Sequence, residues 1–437
     1  MSLPELIEIL PLTAPVQARI VVPGSKSITN RALVLAALAS GATTLHGALW
    51  SEDTQVMVEG LRRLGFAVDV TPDKAEPANR TIRVDGQGGQ IPKAGTAADP
   101  VELFVGNAGT AARFLAALVC LGSGAFRLHG VPRMHDRPQA ALFAALRQLG
   151  YRLDSANDRL PVVVHGTGRR AGRCQVSVSE SSQFASALLL TAGAGGWRVE
   201  VTGANEDELP YVEMTRRLID GFSRGGGDFR IEPDASSGSY FVAAHWLSPS
   251  PWTDGSRTPT ADHSHISVPG WPRTNWQIDA AFPGFLPLPG RVSRRSDLGD
   301  SIMTAMIVAP FSADPVRFTD LGRLRVQECE RVIALRTELA RCGARVEEEG
   351  DTLTVFPSGG QMRGAEVETY QDHRMAMCFA TLGLKVPGIK IKNPACVKKT
   401  FPNFFQKLAA PPPHGLGVVI RDPVESRRLA GTDLAAE

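Results

Sequence analysis

Residues 25–38 read SKSITNRALVLAAL: a short polar start, then about ten small and apolar residues with no polar face. A helix that is apolar all round belongs inside a protein. The same plan returns as GNAGTAARFLAAL (106–118), SESSQFASALLL (179–190), DASSGSYFVAAHW (234–246), DLGDSIMTAMIVA (297–309) and YQDHRMAMCFATL (370–382). The starts lie 81, 73, 55, 63 and 73 residues apart, so the chain carries six units of comparable size. Recurrence of this kind takes precedence over any single motif.

A second pattern follows in several units. GLRRLGFAVDV (60–70), ALRQLGYRLDS (145–155) and ELARCGARVEE (338–348) each run from a helical period through a glycine into alternating apolar residues. Glycine supplies the left-handed cap, and the alternation predicts a strand. Each unit is therefore expected to be strand, buried helix, strand, amphipathic helix, strand.

The chain has 437 residues, enough for two or three domains, and 43% of them are hydrophobic. Lysine plus arginine exceed aspartate plus glutamate by 47 − 45 = 2, which excludes a generic nucleic-acid or membrane-surface binder. Six scattered cysteines without a CxxC pair read as buried, reduced thiols. The start lacks the basic and apolar segments of a secretory signal, and no run reaches the ~20 apolar residues of a membrane span. A cytoplasmic protein is expected. Residues 245–276, rich in Pro, Gly, Ser and Trp, predict loop with short strands; His263 and His265 read as solvated there. The tail after Ala409, opening with PPPHGLG, reads as a frayed terminus.

The polar starts matter because a helix N-terminus presents unpaired N–H groups and partial positive charge to an anion. Lys26 and Arg31 add cations to the first such start, Gly106 and Gly109 admit close approach at the second, and Ser181, Ser182 and Gln183 line the third. A capped surface helix has the same composition, so the weight lies in the combination. Arg133 and Arg137 sit in PRMHDRP, while Arg325, Glu328 and Arg331 sit in RLRVQECERV. Asp372, His373 and Arg374 open the last helix, ahead of Lys398-Lys399-Thr400. An arginine inside an Ala/Met-rich helix is costly unless an anion pairs with it, which singles out Arg374.

These segments, in this order, carry a resemblance. PGSKSITNR, LFVGNAGTAARF, SSQF, DHRMAMCF and CVKKTFPNFF are similar to the motifs of the enolpyruvyl transferases, in particular those acting on 3-phosphoshikimate. The resemblance implies an α/β (α+β) fold of two similar domains, each of three βαβαββ units, joined by a two-strand hinge. Domain one would comprise residues 1–23 and 235–437, and domain two residues 24–234. It further implies transfer of the carboxyvinyl group of phosphoenolpyruvate to the 5-hydroxyl of 3-phosphoshikimate, with release of phosphate, on the route to aromatic amino acids. No metal or organic cofactor, no nucleic acid and no membrane would take part, and the enzyme would be a monomer.

Motif by motif, the resemblance assigns Lys26, Gly109, Arg137, Gln183, Arg331, Arg374 and Lys399 to phosphoenolpyruvate. Lys26, Ser27, Arg31, Ser181, Ser182, Gln183, Asp300, Arg323 and Gln327 fall to 3-phosphoshikimate, and Asp300, Glu328 and Lys26 to acid–base work. The chain departs from the family pattern at Glu208, where a serine is usual, and at Arg323 and Gln327, usually Asn and Lys. Phe114 replaces a proline. The departures leave a different cyclic alcohol open as acceptor, and a non-catalytic binding homologue is the further alternative. Phe114 also predicts weaker inhibition by glyphosate, which in this family competes with phosphoenolpyruvate beside GNAGTA.

Overall fold

Gly65, Gly150 and Gly343 close three helices in the same way. Their φ angles are +90°, +85° and +88°. The helices Glu52–Arg63, Ala140–Gln148 and Arg331–Arg341 end two residues earlier, and the strands Val68–Pro72, Arg152–Asp154 and Val346–Glu349 follow. A side chain at such an angle would be strained, so glycine is required there.

The computed structural model describes residues 3–203, 209–248 and 265–436. Glu208 and His263 lie outside them. The chain divides into two compact units, Met1–Pro23 with Pro233–Glu437, and Gly24–Glu232.

One sheet pattern recurs in both. Val101–Phe104 runs parallel to Ser123–His129, which pairs antiparallel with Val162–Thr167, itself antiparallel to Arg152–Asp154. Arg291–Ser293, Val316–Thr319, Thr352–Val355 and Val346–Glu349 repeat that order with the same directions. A third copy takes its parallel edge strand, Gly227–Arg230, from the far end of its unit and lays it on Ala42–Leu49. The α/β fold is as expected, but the βαβαββ unit is contiguous in only two of these sheets. Among the described residues, Gly172–Ser177 with Trp197–Thr202, and Gln17–Arg19 with His265–Ser267, stop at the parallel pair.

The tail corrects the sequence reading. It is not frayed: Ile420–Asp422 pairs with Leu6–Ile9 and forms a hairpin with Arg427–Leu429, and Leu416, Val418, Ile420, Leu429 and Leu434 are buried. Together with Glu366–Val367 and Ile389–Lys392 they make a five-stranded sheet.

The recurrent helices are buried as their composition requires. Every residue of Gly109–Leu118 and of Ile302–Val308 is buried, and in His373–Gly383 all but Arg374. The six cysteines are free thiols, four of them buried, and burial pushes the Cys174 thiol up to about 11. Among the described residues no helix is long and apolar enough to cross a membrane.

Candidate active site

In the Gly24–Glu232 unit, the helix Lys26–Leu38 opens on Lys26, whose Nζ lies 2.9 Å from Oδ2 of Asp53. Asp53 stands in the first turn of the helix Glu52–Arg63, whose start is fixed by the Ser51 N–H donating to the Thr54 hydroxyl at 2.9 Å. One turn beyond Lys26, Arg31 is buried. Its Nε donates to Thr215 Oγ1 (2.8 Å), Nη2 to Ser186 Oγ (3.1 Å) and Nη1 to the carbonyl of Ser27 (2.9 Å). The guanidinium also lies over the Phe114 ring, 5.4 Å from its centroid. All these partners are neutral, and burial lowers the Arg31 pKa to about 10. A buried cation with neutral partners is poised for an anion.

The helix Ser182–Gly195 is capped by Ser181, whose hydroxyl accepts from the Gln183 N–H at 3.2 Å. The Gln183 side chain accepts from Arg113 Nη1 (3.2 Å), and Arg113 Nη2 donates to the Pro138 carbonyl (2.9 Å). Next in the chain, Arg137 Nη1 donates to the Asn107 carbonyl (3.0 Å). At Gly109, the first residue of its helix, a Cβ would lie 2.3 Å from Arg113 Nη1 and 2.6 Å from Arg137 Nη2. Gly109, Arg137 and Gln183 are thus gathered around Arg113, to which the sequence reading gave no role. Arg133 stands apart, two-thirds exposed and 4.0 Å from Asp136.

The other unit holds a denser cluster. Asp300 precedes the short helix Ile302–Val308 rather than opening it, because Ser301 occupies the cap. Its Oδ1 accepts from Arg294 Nη2 at 3.1 Å, while Oδ2 lies 3.3 Å from Arg374 Nη2 and 3.7 Å from Arg331 Nη1. Burial pushes the Asp300 pKa up, but the guanidiniums of Arg374, Arg294 and Arg331 outweigh it and hold the carboxyl well below the usual range. Nearby Asp279, which accepts from the Ser301 N–H at 2.6 Å, is shifted upward by burial and by Asp300.

Arg331 is 1% exposed and forks onto Asp372, Nε to Oδ2 at 2.7 Å and Nη2 to Oδ1 at 3.2 Å. It also donates to Gln327 and, at 2.8 Å, to Glu328, whose second oxygen lies 3.0 Å from Lys399 Nζ. Asp372 is fully buried and caps the helix His373–Gly383 by accepting the Arg374 N–H at 2.8 Å. Arg374 donates to the Ser236 hydroxyl. Arg323 lies in the 3-10 turn Gly322–Val326 that leads into this cluster. Asp300, Glu328, Arg331, Arg374, Lys399 and Gln327 therefore meet in one network, and Arg294 and Asp372 complete it.

The chain is similar to known proteins in sequence and fold. A family model described as EPSP synthase (3-phosphoshikimate 1-carboxyvinyltransferase) matches residues 12–225 and 288–408. A 3-phosphoshikimate 1-carboxyvinyltransferase of Opitutus terrae is 38% identical, covering 94% of this chain and 98% of the relative. One of Nostoc punctiforme is 37% identical, covering 92% and 98%. The EPSP synthase structure from Acinetobacter baumannii shares the fold, with a TM-score of 0.70 at 20% identity over 95% of this chain and 100% of that one. The six repeated helices, the two clusters of cations and carboxylates and these relatives lead to one conclusion: the chain belongs to the EPSP synthase family.

Proposed function

We propose that this chain transfers the carboxyvinyl group of phosphoenolpyruvate to the 5-hydroxyl of 3-phosphoshikimate and releases phosphate. The observation that carries the reading is the buried Asp300 carboxylate, kept ionised by three guanidiniums beside the Glu328–Lys399 pair. Asp300 takes the proton of the 5-hydroxyl, and the oxygen bonds to C2 of phosphoenolpyruvate. Glu328 and Lys26 deliver a proton to the methylene carbon, which becomes a methyl group. Loss of a proton from that methyl then expels phosphate from C2 and restores the double bond.

Phosphoenolpyruvate is held by Lys26, Gly109, Arg137, Gln183, Arg331, Arg374 and Lys399. The acceptor is held by Lys26, Ser27, Arg31, Ser181, Ser182, Gln183, Asp300, Arg323 and Gln327. Guanidinium forks and helix N–H groups suit these multiply charged anions.

Phosphate release from phosphoenolpyruvate tests the reading. Release with 3-phosphoshikimate and none with unphosphorylated shikimate is expected. Release only with another cyclic alcohol would move the acceptor assignment, and release with no acceptor would overturn the enzyme reading.

Two predictions arise here. Gly109→Ala places a methyl group against the far ends of Arg113 and Arg137, which are flexible enough to move without unfolding the helix. Displacing one charged hydrogen bond costs ~1.5 kcal/mol, so the KM for phosphoenolpyruvate should rise roughly tenfold while that for the acceptor holds. Steady-state kinetics in both substrates decides this. Phe114 is fully buried in mid-helix, and Phe114→Pro removes both its ring from Arg31 and its backbone N–H. The substitution should cost about 3 kcal/mol and lower the glyphosate inhibition constant. An unchanged constant removes Phe114 from that role.

A further inference from the structure

The two oxygens of Asp300 are held by different kinds of partner. Oδ2 faces Arg374 and Arg331, at 3.3 and 3.7 Å, both of which the proposed function commits to an anionic ligand. Oδ1 is held by Arg294 at 3.1 Å, the shortest of the three contacts, and Arg294 has no place in that ligand set. The Arg294 side chain is 1% exposed. A guanidinium is taken that far out of water at high cost and is retained where it has a charge to meet.

Its backbone is equally fixed. Arg294 follows the strand Arg291–Ser293, which is locked in parallel register on Val316–Thr319, and its N–H donates to the Thr319 carbonyl at 3.0 Å. Arg331, by contrast, divides its charge among Asp372, Glu328 and Asp300, and Arg374 also serves Ser236. Once a phosphate or carboxylate engages those two, Arg294 is the partner that stays with Asp300.

We propose that Arg294 is the positioning residue of the base: it anchors one carboxylate oxygen of Asp300 and keeps the group aimed and charged while Arg331 and Arg374 turn to the donor. The proposal rests on Asp300 being the base. Five charged groups face Asp300: Arg294 from the end of its strand, Arg331 and Arg374 from two helix starts, Glu328 from the preceding turn, and Asp279 from the turn Ile278–Phe285. Burial and the two carboxylates favour the protonated acid, whereas the three guanidiniums favour the anion.

The sign of the effect follows. Removing Arg294 raises the pKa of Asp300, so the acid limb of the rate profile moves to higher pH. An opposite charge at this distance is worth about one pH unit or more, a tenfold loss of rate below the limb. The experiment compares kcat/KM for 3-phosphoshikimate against pH, at saturating phosphoenolpyruvate so that Arg331 and Arg374 are engaged, in the parent, Arg294→Met, Arg294→Gln and Arg294→Lys. The limb should move up by about one unit in the Met and Gln variants and stay near the parent's in Lys, which keeps the charge. An unmoved limb in Gln or Met overturns the proposal, since packing alone would lower the rate equally at all pH values. If both neutral variants fail to fold, Arg294 is a folding residue and the proposal falls. Asp300→Asn, measured in parallel, separates the two claims: an active Asn variant sinks the base assignment itself, whereas an inactive one with unmoved Arg294 limbs sinks only the role of Arg294.

Discussion

Asp300→Asn is expected to lower kcat by ~100-fold or more, the scale on which a lost general base acts. Asparagine has the size of aspartate and keeps an oxygen for Arg294, so the cluster should stay packed. What it cannot do is accept the proton of a hydroxyl. The KM for phosphoenolpyruvate should not rise, because the substitution removes a negative charge from beside Arg331 and Arg374 and leaves both freer for an anion. Phosphate-release kinetics with a direct donor titration would test both halves. Turnover within a few-fold of the parent would end the assignment of Asp300 as base.

The largest expected effect on stability belongs to Asp372. Its carboxylate is fully buried, takes a two-pronged contact from a guanidinium only 1% exposed, and caps the helix that delivers Arg374. Asp372→Ala leaves Arg331 buried with its main counter-charge gone. Breaking one side of such a pair costs about 3–5 kcal/mol, and losing the cap adds ~1 kcal/mol. Donor affinity should fall as well, because Arg331 and Arg374 lose their shared anchor. Urea unfolding measures the first effect and donor titration the second. A stability loss below about 1 kcal/mol would mean that Arg331 finds another partner, Glu328 being the nearest.

What the sequence disclosed was what short range decides. The left-handed glycines at 65, 150 and 343 are local requirements, and so is the all-apolar surface of helices such as Gly109–Leu118. The site residues that stand at helix starts were legible for the same reason. Asp53, Arg113, Arg294 and Asp279 were not, because each acquires meaning from a partner remote in sequence or from a turn that only the tertiary structure creates. Arg113 meets Gln183 seventy residues away, and Asp279 meets the Ser301 N–H across twenty-two. Arg294, in RVSRRSD, looks like any solvated arginine until the parallel strand pair buries it. Asp372 was visible as a helix cap, yet its grip on Arg331 spans forty-one residues. The tail was misread because three prolines outweighed the alternation of Leu416, Val418 and Ile420, which the sheet then buries.

The strand Leu6–Ile9 lies inside the five-stranded sheet, paired on one side with Ile389–Lys392 and on the other with Ile420–Asp422. During synthesis its partners therefore emerge long after it. At about 5–20 residues per second, the ribosome needs roughly 20–80 s to travel from residue 9 to residue 389. Throughout that interval an apolar strand with two open edges waits for its partners, the kind of segment that recruits unwanted pairing. Gly24–Glu232, a continuous stretch that closes on itself through Gly227–Arg230, is complete long before. The order of assembly is thus written into the strand pairing: Gly24–Glu232 matures first, and Leu6–Ile9 is joined to its partners only afterwards.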